Sequence, residues 1–118
     1  MAHPVIHWEI GGREGEKLAR FYEDLFGWAP QPAGEGYWLI APEPPGIGGG
    51  ILEAQGELPA HVTIYVHTRD LEETLDRVTI AGGRTIRDPQ PIPGIGRFAL
   101  FEDPEGNVIG LLETTEEI

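Results

Sequence analysis

Apolar positions along this chain switch between a period of two and a period near 3.6, and the same switch occurs twice. Residues 4–10, PVIHWEI, read as a strand: Pro4 opens it, and Val5, Ile6, Trp8 and Ile10 suit a pleated surface. Alternation puts His7 and Glu9 on one face of that strand and Ile6, Trp8 and Ile10 on the other. Leu18, Phe21, Tyr22, Leu25 and Phe26 then recur at i, i+3, i+4, i+7 and i+8, which predicts an amphipathic helix. Its start at Gly11-Gly12 lacks a good cap, and Gly27 supplies a left-handed stop. A weak strand is predicted around Trp28–Gln31 and a clearer one at Tyr37–Ala41. The loop PEPPGIGGG leads into a glycine-rich strand ending near ILEA.

The second half follows the same plan. HVTIYV (61–66) predicts a strand, and Asp70 with Glu73 three residues later predicts a capping box at the start of a helix. Leu71, Leu75 and Val78 form that helix's apolar face, and Gly82-Gly83 ends it. Short strands are predicted near 84–88, at GRFALFED (96–103) and at NVIGLLE (107–113). DPEGN (103–107) is a tight turn, with Pro104 presetting one torsion and Gly106 accepting a positive φ.

Laying one half over the other puts His7-Trp8-Glu9-Ile10 on His61-Val62-Thr63-Ile64, a period of 54. GGILE (49–53) falls on IGLLE (109–113), a period of 60, which matches Gly50 with Gly110 and Glu53 with Glu113. Order, spacing and residue type agree, so an internal duplication is the strongest organisational signal in the chain. The expected architecture is α+β: a single domain of two βαβββ modules, about 1–56 and 57–118, whose curved mixed sheets enclose a pocket.

Composition narrows the chemistry. With 118 residues, 40% hydrophobic and 24% charged, one ordered domain is expected. No cysteine is present, so disulfides, thiolate metal sites and cysteine nucleophiles are excluded, and a metal would need His, Asp, Glu or water. A net charge of −12 argues against nucleic acid and suits either solubility or a cationic ligand. No apolar run is long enough to span a bilayer, and MAHPVIHWEI has neither the basic start nor the apolar stretch of a leader, so a cytoplasmic protein is expected. The run GIGGG is read as close backbone packing in a strand, because no lysine–hydroxyl pair follows it as in a phosphate loop. Arg97 is expected in a salt bridge, and His3 and His67 are expected in solvent.

The paired strand–helix–three-strand pattern, EKLARFYEDLFGW (16–28) and FEDPEGNVIGLLE (101–113) resemble the vicinal-oxygen-chelate superfamily. That group includes glyoxalase I, extradiol dioxygenases, and fosfomycin- and bleomycin-resistance proteins. The resemblance covers nearly the whole chain and is specific for fold, not for reaction. It implies that the first and last strands of each module place ligands around one divalent metal. His7 and His61 fall on two of those positions, but the other two, usually glutamate, are Gly50 and Gly110. Two neutral imidazoles leave a divalent charge uncompensated. Strand alternation turns Glu53 and Glu113 away, so Glu9 is the better third ligand.

The expected pocket residues are therefore His7, Glu9, His61 and Tyr65, with Glu9 also placed to act as a general base. The expected function is a glyoxalase-like small-molecule-binding protein or divergent enzyme without the usual carboxylate ligands. No resident cofactor is expected, or at most a weakly bound divalent metal. Two alternatives stand beside it: a metal-dependent lyase or dioxygenase using His7, His61 and a glutamate, and a drug-sequestering protein of the bleomycin-resistance kind. Exposed sheet edges suggest a homodimer.

Overall fold

A computed structural model describes residues 2–54 and 60–114. The elements run β1 (Val5–Gly12), α1 (Gly15–Phe26), β2 (Gln31–Pro32), β3 (Tyr37–Ile40), β4 (Gly49–Glu53), β5 (His61–Thr68), α2 (Leu71–Ile80), β6 (Arg84–Ile92), β7 (Gly96–Glu102) and β8 (Val108–Thr114). This is the expected α+β order, βαβββ twice. By contact the chain divides into two compact units, His7–Thr63 and Met1–Ile6 with Ile64–Ile118.

In the first unit the strand order is β2-β3-β4-β1, with β1 and β4 parallel and the other pairs antiparallel. Helix α1 covers one face, where Ala19, Ile40 and Ile51 are buried and Trp8, Leu18, Tyr22, Trp28 and Trp38 pack around them. Alternation along β1 thus delivers Trp8 to the helix side, its ring 4.9 Å from that of Trp28. The apolar stripe of α1 is narrower than the sequence pattern suggests. Phe21, Leu25 and Phe26 stay more than half exposed, because one helix face cannot turn five large side chains toward the same sheet. Strand β1 also continues through Gly11 and Gly12, so α1 begins later, at Gly15. Gly27 ends it at φ 73°, the left-handed conformation that glycine adopts freely.

The second unit repeats the arrangement as β5-β8-β7-β6, with β5 and β8 parallel. Helix α2 covers a core of Leu71, Leu75, Ala99 and Leu111, flanked by Val66 and Phe101. The Asp70 carboxylate accepts the Glu73 N–H at 3.0 Å. The Asp70 N–H goes to the Thr68 hydroxyl, so Thr68 takes the part that a capping box assigns to the glutamate. In the DPEGN turn Asp103 accepts from the Asn107 side chain and backbone and from the Glu105 N–H, which lowers its pKa. Gly106 there has the expected positive φ, 91°.

The structure bears out the duplication but moves its register. The strands start at Val5 and His61, the helices at Gly15 and Leu71, and the parallel pairs match Glu9 with Gly50 and Tyr65 with Gly110. All three comparisons give a period of 56 for the first part of the module. The counterpart of His7 is therefore Thr63, and that of Glu9 is Tyr65. Overlaying the two histidines by residue type puts the halves two residues out of step.

Candidate functional site

The face of β1 that carries His7 and Glu9 points away from α1, and a third residue joins them there. Tyr37 lies on β3, two strands away across β4. Its hydroxyl donates to Glu9 Oε2 at 3.0 Å and lies 3.0 Å from His7 Nε2. A phenol has one proton, already given to the carboxylate, so His7 must donate from Nε2. Burial lowers the His7 pKa, which keeps the ring neutral and consistent with that Nε2–H form. The result is a polar chain, His7 to Tyr37 to Glu9, on a half-buried surface.

What lets Tyr37 reach β1 is Gly50. A Cβ added at Gly50 would fall on the Tyr37 phenol, its nearest atoms all belonging to that ring. On the other face, a Cβ at Gly49 would fall on the Trp8 indole. The glycine run thus lets two aromatic rings lie against β4 from opposite sides, the close packing expected of GIGGG. The second unit has a parallel arrangement: Tyr65, buried, covers Gly110. Both positions that the resemblance marks for a metal-binding glutamate are glycines beneath a tyrosine ring.

His61 lies elsewhere than over His7. Its ring sits where a Cβ of Gly11 would be, and Gly11 shares the Glu9 face by alternation. The structure therefore brings His7, Glu9 and Tyr37 into one hydrogen-bonded group and places the His61 ring over a neighbouring position of the same strand. Among the described residues no group of three or more His, Cys, Asp or Glu side chains gathers as a metal site. A cleft of about 320 Å³ is lined by none of His7, Glu9, His61 and Tyr65; it lies beside α2.

Glu53 and Glu113 turn to the helix-covered sides of their sheets, and both serve helix starts. Glu53 accepts the Gly15 N–H at 3.1 Å and Glu113 the Leu71 N–H at 3.0 Å, at equivalent places in the two modules. Arg97 forms the expected salt bridge, clamping Glu113 and Glu72 with paired bonds of 2.9–3.0 Å. Its hydrogen bonds hold Glu72 down to about 2 and lower Glu113, while its own pKa rises. His3 is exposed as expected, but His67 is buried, within 3.2 Å of the Thr114 hydroxyl. Strand β5 runs on to Thr68, and alternation carries His67 inward with Thr63 and Tyr65. Sequence reasoning placed Tyr37 only at the start of a strand and missed it as a site residue; the glycine at position 50 was the available signal that another group fills the space.

Two βαβββ modules carrying these tyrosine-covered glycines define a glyoxalase-type fold without the usual carboxylate pair. Residues 10–112 match the glyoxalase-like domain family, and the chain belongs to that family. It is 32% identical over 117 residues to a glyoxylase-like domain-containing protein of Didymella fabae, covering 87% of this chain and 91% of that one. It is 30% identical over 97 residues to CFP32 of Mycobacterium tuberculosis, whose name carries the word glyoxylase, covering 79% and 37%. Anthracycline biosynthesis protein DauV of Streptomyces sp. strain C5 is 30% identical over 120 residues, covering 83% and 42%. The chain thus spans about two fifths of the length of CFP32 and DauV. A solved methylmalonyl-CoA epimerase, bound to methylmalonyl-CoA and ammonium, shares the fold at a TM-score of 0.69 and 16% identity, covering 98% and 96%. Among the described residues no helix is long and apolar enough to cross a membrane.

Proposed function

We propose that this protein is a glyoxalase-like small-molecule-binding protein that holds its ligand by hydrogen bonds on the β1 face, without the carboxylate-ligated metal of its superfamily. The observation that carries this reading is the Tyr37 phenol lying over Gly50 and bridging His7 and Glu9. The donor set does not fit the usual divalent ion. Gly50 and Gly110 offer no ligand atom, tyrosine rings cover both, and His7 Nε2 is already turned to Tyr37. In place of a metal, the site offers an imidazole–phenol–carboxylate chain. Glu9 is the group that can accept a ligand's proton, with Tyr37 as the hydroxyl beside it and His61 farther along the strand.

A ligand carrying a basic nitrogen suits the Glu9 carboxylate in a chain of net charge −12. Sequestration of a cationic aromatic compound is therefore the second reading. Binding without turnover would favour it over an enzyme. The protein acts as a homodimer on this reading, with the exposed Phe21, Leu25 and Phe26 available to an interface. A light-scattering mass that stays at 12.9 kDa across the micromolar range would reject the dimer.

Metal analysis after exchange against zinc, nickel, manganese and iron tests the central claim. Well below one equivalent per chain is expected, unchanged in His7→Ala. One tightly held equivalent, lost in His7→Ala or His61→Ala, would restore the metal-dependent lyase or dioxygenase as the better reading.

A further inference from the structure

A cleft lies in the other unit, on the helix-covered side of its sheet. The cleft beside α2 has a volume of about 320 Å³, at the lower end for small-molecule sites. Val66, Phe101 and Leu111 give it an apolar surface drawn from three strands, and Ala81 adds a small side chain at the end of α2. Leu71 and Leu75 anchor the helix over the core, while Val78 lies at the cleft with Ala81.

Three polar side chains stand among these apolar ones: His3, Arg77, and Thr74, whose hydroxyl is bonded to the Thr68 hydroxyl and the Asp70 carbonyl. His3 donates from Nδ1 to the His67 carbonyl at 2.9 Å, which ties the start of the chain down at the cleft. Arg77, in the last turn of α2, has no carboxylate within ion-pair distance among the described residues. No Asp or Glu lines the cleft, in a chain that carries 20 of them. An unpaired guanidinium beside an apolar, carboxylate-free cleft is complementary to one class of molecule: an apolar tail ending in a single negative charge.

We infer that this cleft binds a small monocarboxylic acid of medium chain length, with its tail against Val66, Phe101 and Leu111 and its carboxylate at Arg77. The inference is independent of the β1 face, since no residue is shared.

The test is a ¹H–¹⁵N NMR titration of the whole chain with octanoate, octan-1-ol and octylamine. Octanoate is expected to give saturable shifts at Val66, Val78, Ala81 and Leu111. It should bind about fivefold more tightly than the alcohol, the upper range for one exposed ion pair. Arg77→Gln should remove that preference while leaving alcohol binding in place, and Ala81→Phe should block both by filling the cleft. Because Arg77 is exposed, its variant keeps the test valid should Ala81→Phe fail to fold. The inference is overturned by any of four results: no saturable shift at about 10 mM, beyond the range of a weak specific site; equal binding of acid and alcohol; preference for the amine; or shifts centred on His7 and Glu9. Concentration-dependent shifts at the cleft without any additive would also overturn it, by assigning the surface to a second copy of the chain.

Discussion

Gly50→Ala tests the packing on which the site depends. In a strand, alanine would ordinarily be favoured over glycine by about 0.5–1 kcal/mol, because it loses less conformational freedom on folding. Gly50 does not adopt a positive φ, so its backbone accepts alanine without strain. Here the added Cβ meets the Tyr37 ring, and all three of its nearest contacts are atoms of that ring. Displacing a phenol held by His7 and Glu9 adds an overpacking cost of about 1–3 kcal/mol. Gly50→Ala should therefore destabilise the wild-type chain by about 1–2 kcal/mol once the intrinsic gain is deducted. In a Tyr37→Ala background the clash is absent, and the same change should stabilise by about 0.5–1 kcal/mol. The sign reversal amounts to a coupling of about 1.5–3 kcal/mol in a double-mutant cycle, large for a pair on adjacent strands. Urea denaturation of the four proteins at neutral pH measures it. A Gly50→Ala variant as stable as wild type, or equal effects in the two backgrounds, would refute the placement of Tyr37 over Gly50 and with it the proposed site.

Three further outcomes follow from individual contacts. Burial holds the folded His7 pKa below its ordinary 6.5, so the unfolded chain binds the extra proton first as pH falls. The His7 contribution should be fully present above pH 6.5 and decline below it, and His7→Gln should flatten that part of a stability–pH profile. Glu113→Ala removes the acceptor for the first N–H of α2 and should cost about 1–2 kcal/mol by thermal or urea unfolding, whereas Glu113→Gln should recover part of it. Gly27→Ala should cost about 1 kcal/mol through backbone strain alone, since nothing lies within 4 Å of the added Cβ.

The architecture was legible because each module states the same plan in local signals: a strand, an amphipathic helix closed by glycine, and a closing hairpin. The register was less legible. His7 and His61 attract one another in an alignment by type, yet the helices and parallel ladders pair His7 with Thr63, a residue with no chemical signature. The end of β5 was hidden for a related reason. His67 and Thr68 look like loop residues, and their burial goes with hydrogen bonds to Thr114, Thr74 and Asp70 that the sequence does not announce. Tyr37 was beyond sequence reasoning in a stronger sense. It lies 30 residues from His7 in the chain and reaches the site only because β4 has no side chain at Gly50.

Glycine at a ligand position is easily read as a site erased, but the geometry describes an exchange of one group for another. In the first module the phenol arrives from β3 and spends its proton on Glu9, while His7 donates to its oxygen. In the second, the covering ring belongs to Tyr65, directly opposite Gly110 in the parallel ladder. The two rings come from different strands of their modules, so they are not one motif copied by the duplication. What the modules share is vacant volume above a glycine and an aromatic ring that occupies it. Restoring a glutamate at position 50 would therefore not by itself recreate a metal ligand, because its side chain would compete with Tyr37 for the same space. The phenol would have to leave first, and its hydrogen bonds to His7 and Glu9 would go with it. The polar chain on β1 is thus bound to the absence of a side chain on β4, and the chemistry of this face follows from that packing.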